Sequence, residues 1–328
     1  MKQVLGILGL LVAICIFNSI AGENFLTAFN IENVIRRSAL FGIISIGAAI
    51  VIIGRGIDLS IGSVICLVGI LTPWLLVQHD VPVWIVLPAV MAVAMLIGLL
   101  HGLLITRLKL QPFVVTLCGL LIYRGLARGI TGDQTQGFRG SWTGLRSLAN
   151  GRVGLPGIES FSIPFPCIIL LVVAIASAIL LHRMVYGRHL LAIGRSEPAA
   201  RYSGINTRRV TTISYVICSG LAGIGGLLFV FDAGLAQPVD FGSWYELYAI
   251  AAAVLGGCSL LGGQGSIAGT IIGATVMVLL YNTITLVDWI PNNIEMAVVG
   301  LVLLSGIVID ALVKHAVAIR RTARSRNQ

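Results

Sequence analysis

Two short polar segments interrupt otherwise apolar sequence, and each places polar chemistry where it is costly. The first, Gly54-Arg55-Gly56-Ile57-Asp58-Leu59-Ser60-Ile61-Gly62-Ser63, sets an acid, a base and two hydroxyls between apolar runs. An ionised side chain at the bilayer centre costs about 2.5–3.5 kcal/mol on insertion scales. Unwound backbone at that depth persists only where it is buried in protein or lines a wet cavity. Arg55, Asp58 and Ser60 are therefore candidates for the wall or gate of a translocation path. Asp58 can equally cap a helix starting near Ser60–Ile61 while pairing with Arg55, and the two roles are compatible. The second segment, Gly256–Gly269, holds six glycines in fourteen residues. Gly256, Gly257, Gly262 and Gly263 join the gate candidates, with tight helix packing and a helix break as the plainer reading. A nucleotide phosphate loop needs GxxxxGK[ST], whose lysine reaches the phosphates, and the chain has no such motif. It is not expected to hydrolyse ATP by itself. No Ser/His/Asp arrangement, carboxylate pair or metal cluster stands out, and the five histidines lack ligand spacing.

A third polar stretch, Tyr186–Ile205, is basic. Ser196 has the type of an N-cap, Pro198 fits a first turn and Gly204 a C-cap. That spacing predicts a helix of about two turns outside the membrane, carrying Glu197 and Ala200. So short a helix is not stable alone, which implies a docking partner. The plainer alternative is a solvated positive loop that only sets orientation.

These segments need helices to position them. The chain has 328 residues, 57% hydrophobic and 11% charged, with a mean hydropathy of +0.98. Soluble domains carry about 25% charged residues. Composition thus excludes a soluble enzyme, a disordered chain and a nucleic-acid module. Long unbroken apolar runs exclude a membrane β-barrel, whose strands alternate. The expectation is an all-α polytopic membrane protein of about ten spans, each long enough to cross a hydrocarbon core of about 30 Å. They fall near Val4–Ala21, Ser38–Gly54, Ile61–Val77, Val83–Ile105, Pro112–Ile130, Ile163–Leu181, Val210–Phe231, Glu246–Leu255, Ile267–Leu286 and Ile294–Val313. Glu23, Glu32, Arg36 and Arg37 are read as the connection between the first two. The eighth span is short and runs into the second glycine segment, as a broken helix would. Met1-Lys2-Gln3 and the apolar run after it resemble a secretory signal, but an uncleaved first span fits the rest better.

The net charge of +9 is concentrated in the His182–Arg209 loop and the Lys314–Arg326 tail, a pattern that orients membrane helices and does not suit nucleic-acid binding. Both belong inside, and so then does the N-terminus. Arg36, Arg37 and the Thr131–Ser162 stretch fall outside. One membrane domain results: a first half to about residue 181, the basic loop, a second half over 210–313 and a basic tail. A faint internal repeat links Gly47–Ser63 to Ala251–Ser266, each an apolar helix breaking into glycine-rich sequence. The six cysteines read as small apolar residues. His101, Arg124 and Asn282 are embedded polar residues that either line a pathway or pair structurally.

GRGIDLSIGSV (Gly54–Val64), VVTLCGLLIYRGLARGITG (Val114–Gly132), YGRHLLAIGRSEPAARYSGI (Tyr186–Ile205) and AIAAAVLGGCSLLGGQGSIAGTIIGA (Ala249–Ala274) together resemble the permease subunits of bacterial ABC importers for monosaccharides, the ribose/xylose/arabinose/galactose group. Arg55 departs from the family, which usually carries glycine there. The resemblance implies an inner-membrane subunit with both termini cytoplasmic, paired with a second copy or a paralogue. It implies a cytoplasmic ABC ATPase, which would bind the ATP and Mg, docked at the Gly194–Ile205 helix (Gly194, Ser196, Glu197, Pro198, Ala200, Gly204, Ile205). It implies a periplasmic solute-binding protein that delivers a sugar such as ribose. No cofactor is expected in this chain itself. Autoinducer-2 and branched-chain amino acid permeases share the plan. The rival of another class is a secondary transporter with Asp58 as its proton or sodium site.

Overall fold

A computed structural model describes residues 2–22, 24–155 and 158–287, with isolated positions at 297, 300, 301, 304 and 308. Apart from those positions, the tenth expected span and the basic tail lie outside the described residues. Twelve helices occur among the described residues: α1 Lys2–Ala21, α2 Ala28–Ile53, α3 Ile61–Pro73, α4 Val83–Arg107, α5 Pro112–Thr131, α6 Thr143–Asn150, α7 Phe165–His182, α8 Val185–Arg195, α9 Glu197–Tyr202, α10 Thr207–Ala233, α11 Tyr245–Leu255 and α12 Ile267–Leu286. Four short strands, β1 Gln136–Gly137, β2 Arg152–Leu155, β3 Ile158–Pro164 and β4 Leu235–Ala236, form two small antiparallel pairs, β1–β4 and β2–β3. The chain is an all-α polytopic membrane protein: seven helices are long and apolar enough to cross a membrane, and Gly6–Ala21 and Tyr245–Leu255 are shorter apolar helices.

The sequence explains most of the boundaries. Thr27 Oγ1 accepts from Asn30 N (3.3 Å) to start α2, and Ser266 Oγ accepts from Gly269 N (3.2 Å) to start α12. Left-handed Gly132 and Gly234 end α5 and α10. After Pro73, which lacks an N–H, α3 widens into a π turn over Trp74–Gln78.

Two expectations need correction. Glu32, Arg36 and Arg37 are not in a connection; they lie inside α2, which starts at Ala28. Partners from distant sequence meet them: Arg152 Nε–Glu32 (2.6 Å), Arg36–Asp232 (3.3 Å), Arg36–Asn150 Oδ1 (3.0 Å), and the Tyr281 ring under Arg37 (5.6 Å to its centroid). The basic loop also holds more helix than expected, with α8 filling its first half.

The two halves interleave. α10 packs along α2, α3 and α4, while α2 also meets α7, α11 and α12. Gly98 and Gly102 on α4 lie against the backbone of Tyr215 and Thr212 on α10, so this crossing is close. The helices form an inner and an outer layer: 78% of the apolar stretch of α2 is buried, against 17% of α7. The β1–β4 pair joins the chain just after α5 to the chain just after α10, so those helices finish at one end of the bundle. At the opposite end, Gly263 N donates to Ile53 O (2.9 Å), tying the end of α2 to the second glycine segment.

Candidate functional site

The first glycine segment does not continue α2. Gly56 N turns back to Val51 O (2.9 Å), and Arg55 takes a left-handed φ of +68°. The chain then re-enters the bundle. Tyr215 Oη donates to Ile57 O (3.3 Å), as does Thr116 Oγ1 (3.4 Å). Tyr215 is eight residues into α10, so Ile57 sits about 12 Å along that helix. Asp58 is only 2% exposed and Ser60 is fully buried. Asp58 Oδ1 accepts from Ser60 N (2.9 Å) and Ser60 Oγ (2.6 Å), and the Cys218 thiol faces its carboxylate. Asp58 thus organises the start of α3 by bonding the residue that precedes it.

The expected Arg55–Asp58 pair does not form among the described residues. Arg55 is exposed at the end of the bundle, while Asp58 has turned inward.

A second buried acid lies nearby. α11 has eleven residues, about 16 Å of helix and half a hydrocarbon core. Chain 237–244, which precedes it, is drawn against α3 and α5: Cys66 Sγ reaches Pro238 O (3.6 Å), and Arg124 donates to Phe241 O (3.0 Å) and Val239 O (3.4 Å). Glu246, 6% exposed, rests with Oε2 against Gly62 in the first turn of α3. Unpaired N–H groups project from that turn and favour a negative charge. Gly62 is obligatory, because a Cβ there would fall on Glu246 Oε2 and Gly242 O. Across from Asp58, His101 Nε2 and Tyr123 Oη share a hydrogen bond of 2.9 Å. These two line one end of an apolar cleft of about 180 Å³ between α4 and α5. The arrangement can hold one or two carboxylates, hydroxyls and an imidazole inside a membrane bundle, beside two helix N-termini.

Sequence reasoning missed Glu246, Tyr123 and Tyr215. Glu246 was detectable by the argument used for Asp58, a lone acid in an apolar run. The two tyrosines had no signal beyond helical burial. Arg124 and His101 belong to this region. Asn282 does not: it exchanges hydrogen bonds with Asn30 (2.7 and 3.2 Å) between α12 and α2.

The other candidates converge at the end of α2. Three pieces meet there: Ile53–Arg55, the second glycine segment and the C-terminal turn of α8. A Cβ on Gly194 would fall on Ile53 O and Gly263 N, and one on Gly262 would approach Gly194 O (2.8 Å) and Arg55 Cβ (2.9 Å). Gly256 packs elsewhere, on Gly269 and Thr270 at the start of α12, and Gly257 supplies a left-handed turn (φ +91°). Leu190, Ile193 and Gly194 are buried, so α8 is seated on the bundle. Tyr186 helps seat it, with Oη 2.8 Å from Ser214 Oγ. Burial pushes its hydroxyl up to about 12, against a smaller opposing effect of Ser214, so it keeps its proton at every physiological pH.

The Gly194–Ile205 helix is corrected to two helices. Ser196, at φ −160°, breaks the chain after α8 and caps α9, with Ala199 N–Ser196 Oγ at 3.4 Å. Gly194 belongs to α8, and Gly204 (φ +80°) and Ile205 lie beyond α9. α9 buries only Ala200 and exposes Glu197, Pro198, Arg201 and Tyr202, the last 93% exposed.

Residues 30–306 match the family model described as the branched-chain amino acid transport system / permease component. The chain belongs to this family of permeases. The permease is similar to the ribose import permease protein RbsC of Escherichia coli (strain K12), 34% identical over 305 residues, 93% of this chain and 92% of the relative. RbsC of Bacillus subtilis (strain 168) is 34% identical over 311 residues, 92% and 91% of the two chains. The D-allose transport system permease protein AlsC of Escherichia coli (strain K12) is 29% identical over 304 residues, 93% and 90%. No solved structure matches it.

Proposed function

We propose that this permease is the membrane subunit of an ATP-driven importer that moves a monosaccharide, ribose being the first substrate to test. The observation that carries the reading is α9. It is a six-residue helix capped by Ser196, held by one buried alanine and otherwise presented to solvent. A helix of that length is not stable alone, and a 93% exposed tyrosine has the character of an interface anchor. A cytoplasmic ABC ATPase that binds ATP and Mg is the partner this helix suits. The cations around it (Arg195, Arg201, Arg208, Arg209) favour the cytoplasmic side for it. By alternation of the spans, both termini are cytoplasmic and the β1–β4 end faces a periplasmic solute-binding protein. A second copy or a paralogue completes the pathway in the bacterial inner membrane.

The relatives favour sugar as cargo: those at 29–34% identity are named for ribose, allose and xylose. The family description names branched-chain amino acids, so leucine is the comparison solute. The test is co-purification and uptake with the cognate ATPase and binding protein. Wild type should retain the ATPase and accumulate ribose in preference to leucine. Glu197→Ala and Gly204→Pro should lose retention or solute-stimulated ATP turnover. Normal coupling in both variants would remove α9 from the account.

A further inference from the structure

We infer that Ile53, Gly194 and Gly263 form a rigid backbone junction through which α8, and not α9 alone, passes the motion of the ATPase to both glycine segments at once. This rests on the importer reading and names the positioning residues of its transmission. Three backbone strands meet with no side chain between them. Gly263 N donates to Ile53 O at 2.9 Å, and a Cβ on Gly194 would overlap both groups. A Cβ on Gly263 would strike Arg195 (Cγ at 2.5 Å, N at 2.9 Å), and one on Gly54 would approach Leu190 Cδ1 (2.8 Å). Contacts between backbones have no rotamers to relax into, so displacement of one strand must displace the others.

The junction is continuous with everything that would have to move. Through Ile53 it reaches the re-entrant turn that carries Asp58. Through Gly263 it reaches the loop between α11 and α12, itself closed by Gly262 N–Ser259 O (2.8 Å) and Ser259 N–Gln264 O (3.1 Å). α9 hangs from the same end of α8, with only Ser196 between them. A force on α9 therefore arrives first at Gly194. By contrast, Gly125 and Gly129 on α5 have nothing within 4 Å of an added Cβ.

The test uses the whole transporter in proteoliposomes. Gly194→Ala should leave the ATPase bound and its hydrolysis within about twofold of wild type, while sugar taken up per ATP falls at least tenfold. Gly129→Ala should change neither. A folded Gly194→Ala protein with a wild-type transport-to-hydrolysis ratio would overturn the inference. In case that variant does not fold, spin labels at Arg188→Cys and Leu261→Cys, in a Cys118→Ser background, read the junction without altering it. Their separation should be the same in nucleotide-free and ATP-trapped states, while that from Arg188→Cys to Leu110→Cys changes. A shift between 188 and 261 would mean that α8 slides over the second segment and would equally overturn it. Failure of the importer reading would look different: wild type would show no ATP-dependent uptake at all.

Discussion

The two ends of the bundle are held together by opposite means. At the β1–β4 end the ties are charged or amide side chains. Arg36 reaches Asp232 and Asn150, Arg152 reaches Glu32, Arg128 is bidentate on Asp133, and Gln78 donates to Gln136 Oε1 (2.6 Å). Arg128 also holds the exposed Asp133 carboxyl below the usual carboxylate range through that hydrogen bond. At the other end the ties are glycine backbones in mutual contact. Long side chains can rearrange and are weakened by salt where exposed; glycine contacts tolerate almost no displacement. The side-chain end is built to adjust and the glycine end to transmit, which suits one face that meets a delivered solute and another that receives force.

Substitutions can break or sharpen that contrast. The largest effect is expected at Gly62. Gly62→Ala forces Glu246 and Gly242 apart beside a buried carboxylate. It should cost more than the about 1–3 kcal/mol usual for overpacking, read as a fall in melting temperature in detergent. An unchanged melting temperature would mean the Glu246–Gly62 contact is absent. Next is Arg36→Ala, which strips Asp232 and Asn150 of a shared donor and should cost about 1–3 kcal/mol. Arg152→Ala removes a half-exposed pair with Glu32 and should cost about 1 kcal/mol or less, shrinking further in high salt. If Arg152 matched Arg36 in size, the adjustable end would be stiffer than described. The smallest effect has the opposite sign. Arg55→Gly relieves a left-handed backbone and should stabilise by about 1 kcal/mol, with uptake retained. A loss of uptake there would give the Arg55 side chain a role of its own.

The parts of this design legible in sequence were those with local causes. α12 was read at its observed bounds, Ile267–Leu286, because Ser266 and the glycines before it signal a start. α4 follows from an apolar run bounded by short polar turns, and α5 from one between such a turn and the long polar stretch after Thr131. The start of α2 was missed because Glu32, Arg36 and Arg37 look like a connection, and their partners lie more than a hundred residues away. α8 was missed because its cations and polar residues read as part of a basic loop between spans. In the fold Gly187 lies on the Leu180 and Leu181 carbonyls and Gly194 on Ile53 and Gly263, so both serve close packing. The candidate site divides the same way. Asp58 and Ser60 were visible as polar residues in apolar sequence, and Glu246 carried the same signal, whereas Tyr215 and Tyr123 join them only through tertiary contact.

The most direct measurement is solute entry into proteoliposomes holding this permease with and without its cognate ATPase, each with either ATP or an imposed sodium or proton gradient. Entry only when the ATPase and ATP are both present, indifferent to the gradient, is the predicted result. Gradient-driven entry through the permease alone would make Asp58 and Glu246 ion-coupling carboxylates and would contradict the account.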